Sequence, residues 1–395
     1  MSMTLSPEMM LTAACCRWPP SPEREAAVRA AAIGVDWDRF ERVVARNRVV
    51  ALVHDGLRRA GVAPPPELAR RLATGAATAG RTALSMAHET LRLQRLFEAA
   101  GLPVVFIKGS SLALLAYGDL GIKQSWDIDL LTTPDAALAG RRVLEAAGYE
   151  LVVPPDLDDA RFATLVALSI ECVFMHPKLN TSVELHWRLV YNEQAVPGID
   201  ARSPTQLVPL AGAGIRTFED AALFAYICVH GTMHGWSRIK WLADVGALLG
   251  RRDPAEIERL YRASLAVGGG RTPAVALLLC HRLFGLALPD ALLAELRADR
   301  ANLFIESACL GCIGFGGGEE IFTPYSRIGL KLTVAQFLLV PTGRYFRREA
   351  RIRWTSAHDQ LTLHLTGPAR VLHHLLRLPR FAWRLVSVQM RRRNA

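Results

Sequence analysis

Asp127 and Asp129 stand one residue apart in the apolar stretch Asp127-Ile128-Asp129-Leu130-Leu131. Alternate residues of a strand share a face, so both carboxylates would project together while Ile128 points into the core. Two anions so placed repel, and burial raises their cost unless a positive charge lies between them. A divalent cation is the natural solution, and an all-oxygen ligand set favours Mg2+ or Mn2+. The same alternation puts Glu184 and His186 on one face of Val183-Glu184-Leu185-His186-Trp187. Glu184 is thus a candidate third metal ligand. Three acids holding two metals suit phosphoryl and nucleotidyl transfer: one metal activates the attacking oxygen and the other steadies the leaving phosphates. His186 could position an acceptor hydroxyl or act as a base.

Upstream, Gly109-Ser110 follows an apolar run and opens a helical pattern. Glycine allows close backbone approach to a ligand, and a helix N-terminus offers free N–H groups to phosphate oxygens. Ser110 or Ser111 could add a hydroxyl donor or cap the helix, and Lys108 could hold a phosphate as a point charge. Downstream, Arg238 or Lys240 could reach across a cleft to a triphosphate; the bland alternative for Lys240 is a helix-surface pair with Asp244. His230 and His234 have a spacing used for zinc, which leaves a zinc hydrolase as a distant reading, but they lack an evident third ligand. Structural or substrate-contacting histidines are the expectation. Trp236 and Trp241 read as core, with base stacking as the alternative.

These residues need elements to position them. Residues 22–100 read as helices, the last ending at Gly101. From Leu102 the pattern changes: Pro103–Ile107 is a strand, Leu112–Tyr117 a helix, Asp127–Leu131 a strand, and Pro134–Gly148 a helix. Tyr149–Val153, Cys172–His176 and Thr181–Leu189 are further strands. After a linker over Pro197–Gly214, helices return, and Gly314–Glu320 reads as a flexible loop. The expected organisation is α+β and predominantly helical. It has an N-terminal helical region (1–100), an α/β core (101–192), a helical domain (193–343) and a basic amphipathic segment (344–395).

The chain has 395 residues, 51% of them hydrophobic, and its longest apolar runs stop short of a bilayer crossing. Seven scattered cysteines give no disulfide framework, and Cys309 and Cys312 form a lone pair with no second set. With no secretory pattern at Met1–Pro20, the expected location is cytoplasmic. Net charge is +10, and from Arg344 onward twelve arginines face only Glu349 and Asp359, so the rest of the chain balances. That segment suits an acidic partner or a membrane surface; no nucleic-acid module accompanies it.

The order strand, Gly-Ser turn, helix, strand with two aspartates, then a later strand acid resembles the DNA polymerase beta-like nucleotidyltransferase superfamily, in particular the bacterial uncharacterised nucleotidyltransferase family. The resemblance rests on Phe106–Gly121, Asp127–Leu131, Ala146–Glu150, Val183–Leu189 and His230–Leu249. It implies a small mixed sheet flanked by helices, with Gly109 and Ser110 in the nucleotide-phosphate turn and Asp127, Asp129 and Glu184 on metal. The implied reaction moves a nucleotidyl group from a nucleoside triphosphate to an unidentified acceptor: a peptide, protein, glycan precursor or small molecule. Sugar transfer from a nucleotide sugar, or a non-catalytic nucleotide-binding protein, are the alternatives. One departure bears on phosphate binding: the arginine expected just before Asp127 is replaced by Lys123-Gln124-Ser125-Trp126.

Overall fold

A computed structural model describes residues 5–323 and 326–354. The fold is α+β and predominantly helical, with one small mixed sheet. The sheet contains β1 (Val105–Phe106), β2 (Asp127–Leu131), β3 (Glu150–Val153), β4 (Glu171–His176) and β5 (Thr181–His186), in the order β1-β2-β5-β4-β3. Only β2 and β5 pair in parallel; the other neighbours are antiparallel.

Period-two alternation divides this sheet into an oily face and a chemical face. Ile128 and Leu130 of β2, Cys172 and Phe174 of β4, and Val183 and Leu185 of β5 share a core with Leu93, Phe97 and Leu144. Leu93 and Phe97 belong to the long helix Pro66–Ala99, which starts with proline at its first turn, and Leu144 to the helix Ala137–Ala146. Burying each such side chain contributes roughly 1.5–3 kcal/mol relative to exposure. The approach is close: a Cβ on Gly140 would lie 3.1 Å from the Phe97 ring.

The opposite face is roofed by the helices Asp220–Met233 and Ile239–Leu249. Gly235 and Trp236 break the run between them with φ of 62° and 49°. The buried indole of Trp236 lies against Gly231, where a Cβ would come within 2.2 Å of the ring. This turn swings Arg238, Lys240 and Trp241 back over the sheet. Trp236 is therefore core, whereas Trp241 lines the cleft beneath.

Two segments differ from expectation. The linker contains a hairpin, β6 (Thr205–Leu210) and β7 (Ala213–Phe218), turned by Ala211 and Gly212 at φ of 48° and 77°. Gln94 of the long helix clasps it, donating to Gly214 O and accepting from Arg216 N. The loop expected at Gly314–Glu320 contains a 3-10 turn, Phe315–Gly318, held where Glu319 pairs with Arg39 and Arg42 at 2.5 Å each. Of the basic C-terminal segment, residues 344–354 belong to the helix Gly343–Trp354, where Arg353 pairs with Glu349 at 2.9 Å. The remainder, 355–395, lies outside the described residues. No described helix is long and apolar enough to cross a membrane.

Candidate active site

The β2–β5 register sets Asp129 directly opposite Glu184, and Leu131 opposite His186. On the other side of β5, His186 faces Glu171 of β4. Asp129, Glu184 and His186 thereby bring one ligand atom each within 4.8 Å of one another, the one such group of metal-ligating residues among those described. Asp127, opposite Ser182, lines the same cleft outside this tight group. The cleft has a volume of about 480 Å³.

Charge is concentrated here with little water. Asp129 and His186 are each 4% exposed. Lys108 Nζ lies 2.8 Å from Asp129 Oδ1; His186 Nε2 is 3.4 Å from both Asp129 Oδ1 and Glu184 Oε2, and His186 Nδ1 is 3.0 Å from Glu171 Oε2. Yet Asp129 Oδ1 and both His186 nitrogens have no partner in hydrogen-bond geometry, an expensive state for buried polar atoms. With Glu184 beside them, these atoms form a group of two carboxylates and one imidazole that could hold a divalent cation. The imidazole makes the donor set mixed rather than all-oxygen.

Protonation follows the same contacts. Burial works against the Asp129 carboxylate, but Lys108 and His186 hold its pKa well below the usual range. Burial likewise opposes charge on His186, and Asp129, Glu171 and Glu184 outweigh it, so the imidazole keeps its proton well above its ordinary pKa. A protonated ring is no base, which sets the expected base role aside in this state. Contact with His186 pulls Glu184 down, while burial and the charges of Asp129 and Asp127 push it up; the net is upward. Lys108 stays charged against burial because Asp129 faces it. It is thus engaged by a carboxylate rather than free to hold a phosphate.

The Gly109–Ser110 turn has the expected backbone. Gly109 has φ of 69°, and the helix Ser110–Tyr117 starts immediately after it without a side-chain cap. Ser110 lines a small pocket beside the cleft with Gly109, Asp127 and Asp129. Ser111 does not take part: fully buried, its hydroxyl donates to Phe106 O and Lys108 O. Lys240 and Arg238 both line the cleft. The surface pair expected between Lys240 and Asp244 is replaced by a buried one, Lys123 Nζ to Asp244 Oδ2 at 2.8 Å. Lys123, the base nearest the position of the expected arginine, is therefore tied into the interior.

His230 and His234 stack with Trp241 in the roof, at ring separations of 4.7–5.6 Å. Burial pushes both imidazoles down, and no third ligand joins them among the described residues. Cys312 is buried too, its thiol pushed up to about 12. Sequence reasoning missed Glu171 and Arg48. Glu171 had a signal, because Cys172 and Phe174 alternate inward and leave it on the chemical face. Arg48 had none, since tertiary packing alone brings it to this cleft.

The profile of a family described as "Uncharacterised nucleotidyltransferase" matches residues 34–285. The chain belongs to that family. The match spans the sheet, both roof helices and every residue lining the cleft except Gln336. No curated protein and no solved structure matches the chain. Membership supports a nucleotide substrate and a transferase, and the Asp129–Glu184–His186 group is where this member could hold metal.

Proposed function

We propose that the chain transfers a nucleotidyl group from a nucleoside triphosphate to an acceptor, with Asp129, Glu184 and His186 holding a divalent cation, Mn2+ or Mg2+, beside Asp127, and with the proton of His186 released as the cation binds. The observation that carries this reading is the parallel β2–β5 pairing, which puts Asp129 against Glu184 in the cleft reached by the Gly109–Ser110 turn. A cation bound there supplies positive charge as negative charge develops on the phosphate oxygens.

The chain's own groups do the rest. The backbone N–H groups at the start of the helix Ser110–Tyr117 present donors to the outer phosphates. An acceptor oxygen attacks the α-phosphorus, one P–O bond forming as the bond to pyrophosphate breaks. Leu189, Val190 and Met233 give the cleft apolar lining that limits competing water. Lys108 and His186 lie close enough to Asp129 to offset its charge when no metal is bound.

That last feature favours a second reading, a nucleotide-binding protein with no catalytic metal, in which Lys108 permanently serves as the cation. Titrating each nucleoside triphosphate with and without Mn2+ or Mg2+ separates them. Transfer requires metal-dependent binding that Asp129→Asn and Glu184→Gln remove. Metal-independent binding untouched by both substitutions sinks the transferase reading.

A further inference from the structure

The cleft has a second charged wall. Arg48, from the turn after the helix Trp37–Asn47, and Arg238 and Lys240, at the start of the helix Ile239–Leu249, all line it. Among the described residues, the carboxylates within ion-pair distance of basic side chains belong to other partners; none pairs with these three. Arg46 is close enough to feel Arg238 and Arg48, and its Nε and Nη1 are buried without a hydrogen-bond partner.

Neighbouring cations act on Arg46, Arg238 and Lys240. Burial, then Arg238 and Arg48, pulls Arg46 down to about 10; burial, then Lys123, pulls Lys240 down to about 8 against the opposing charges of Asp127 and Asp244. Asp127 and Asp244 line the same cleft and partly offset these charges, but neither comes within ion-pair distance of Arg48, Arg238 or Lys240, so an anion in the cleft would relieve the repulsion that remains. Arg48 even holds a left-handed φ of 55°, with its guanidinium 5.2 Å from the Trp126 ring centroid.

The wall and the Gly109–Ser110 turn share the main cleft through Lys108 and Gly109, but they come from different chain segments. Ser110, Met86 and Thr90 line the small side pocket and not the main cleft, whereas Arg48, Arg238 and Lys240 line the cleft and not the side pocket. Lys108, Gly109, Ser125, Asp127 and Asp129 line both, so the carboxylates and the turn meet where the small pocket opens on the main cleft. We infer that the basic wall binds a phosphate group carried by the acceptor, making the acceptor a phosphomonoester, while the turn takes the phosphates of the nucleotide. Trp241, with Arg238 5.8 Å from its ring centroid, gives the organic part of such a molecule a surface to stack on. The phosphate is the handle that orients the acceptor toward the carboxylates. Calling this ligand the acceptor rests on the transfer reading; the anion site itself does not.

The test titrates the full chain with inorganic phosphate and with glycerol 3-phosphate, without metal or nucleotide. Both bind the wild type, and Arg238→Met and Lys240→Met each weaken them by about tenfold, the loss of one charge-assisted hydrogen bond. In the same variants, metal-dependent nucleotide affinity stays within about threefold of wild type. Equal loss of nucleotide and phosphate affinity overturns the inference, because the wall then serves the nucleotide. Failure of the wild type to bind either phosphate probe overturns it as well. Asp129→Asn separates this from the transfer reading: it removes metal-dependent nucleotide binding if that reading holds, and phosphate binding at the wall persists in either case.

Discussion

Replacing Lys123 with methionine removes one charge from a buried pair and strands the other. Both side chains are 7% exposed, the Nζ–Oδ2 distance is 2.8 Å, and Tyr117 Oη donates to Asp244 Oδ1 at 3.0 Å. Breaking a buried pair from one side costs about 3–5 kcal/mol, most of it the uncompensated charge left behind. The Tyr117 hydroxyl remains and offsets roughly 1 kcal/mol, so Lys123→Met is expected to cost about 3 kcal/mol. Adding Asp244→Asn should recover most of that loss, since a neutral amide carries no stranded charge. Urea denaturation of the three proteins measures this, provided the slope of free energy against urea is unchanged. A cost under about 1 kcal/mol, the value of an exposed pair, would refute the reasoning. So would a variant of full stability that has lost nucleotide binding, because Lys123 would then be a ligand-binding residue.

Three other outcomes follow from the same geometry. Glycerol 3-phosphate affinity should fall as pH rises through about 8, where Lys240 loses its proton among Lys123, Arg48, Asp127 and Asp244; the Lys240→Met protein should lack that step. The sign follows from the lowered pKa: the ammonium is present below it and gone above. Gly231→Ala should destabilise by about 1–3 kcal/mol, read by thermal melting, because the new methyl meets the Trp236 ring. Ser111→Ala should cost about 1 kcal/mol in stability and leave nucleotide affinity unchanged, since its hydroxyl serves Phe106 O and Lys108 O.

The strands of the sheet were legible because each combines β-branched or aromatic residues with a local alternation, as Asp127–Leu131 and Thr181–His186 show. Alternation also told which side chains share a face within a strand. It could not tell which strands are neighbours, so the facing of Asp129 and Glu184 needed the fold. The β6–β7 hairpin was hidden by Pro209 and four small residues from Ala211 to Gly214, although Ala211-Gly212 at positive φ is the two-residue turn that matches strand twist. The partner of Asp244 was misread for a physical reason: helical spacing proposes Lys240, but Lys123 reaches the carboxylate from another segment and is buried with it.

The parallel pairing of β2 with β5 also bears on the order of events as the chain folds. Parallel neighbours cannot be joined by a tight turn, and here β3, β4 and two helices intervene before β5 pairs with β2. The acidic cluster is therefore a contact of high sequence separation, completed only when the last strand docks in the middle of the sheet. A nascent chain that has not yet emerged past His186 holds Asp129 without a complete Glu184 strand, so any cation held by this group would bind only once the sheet is complete.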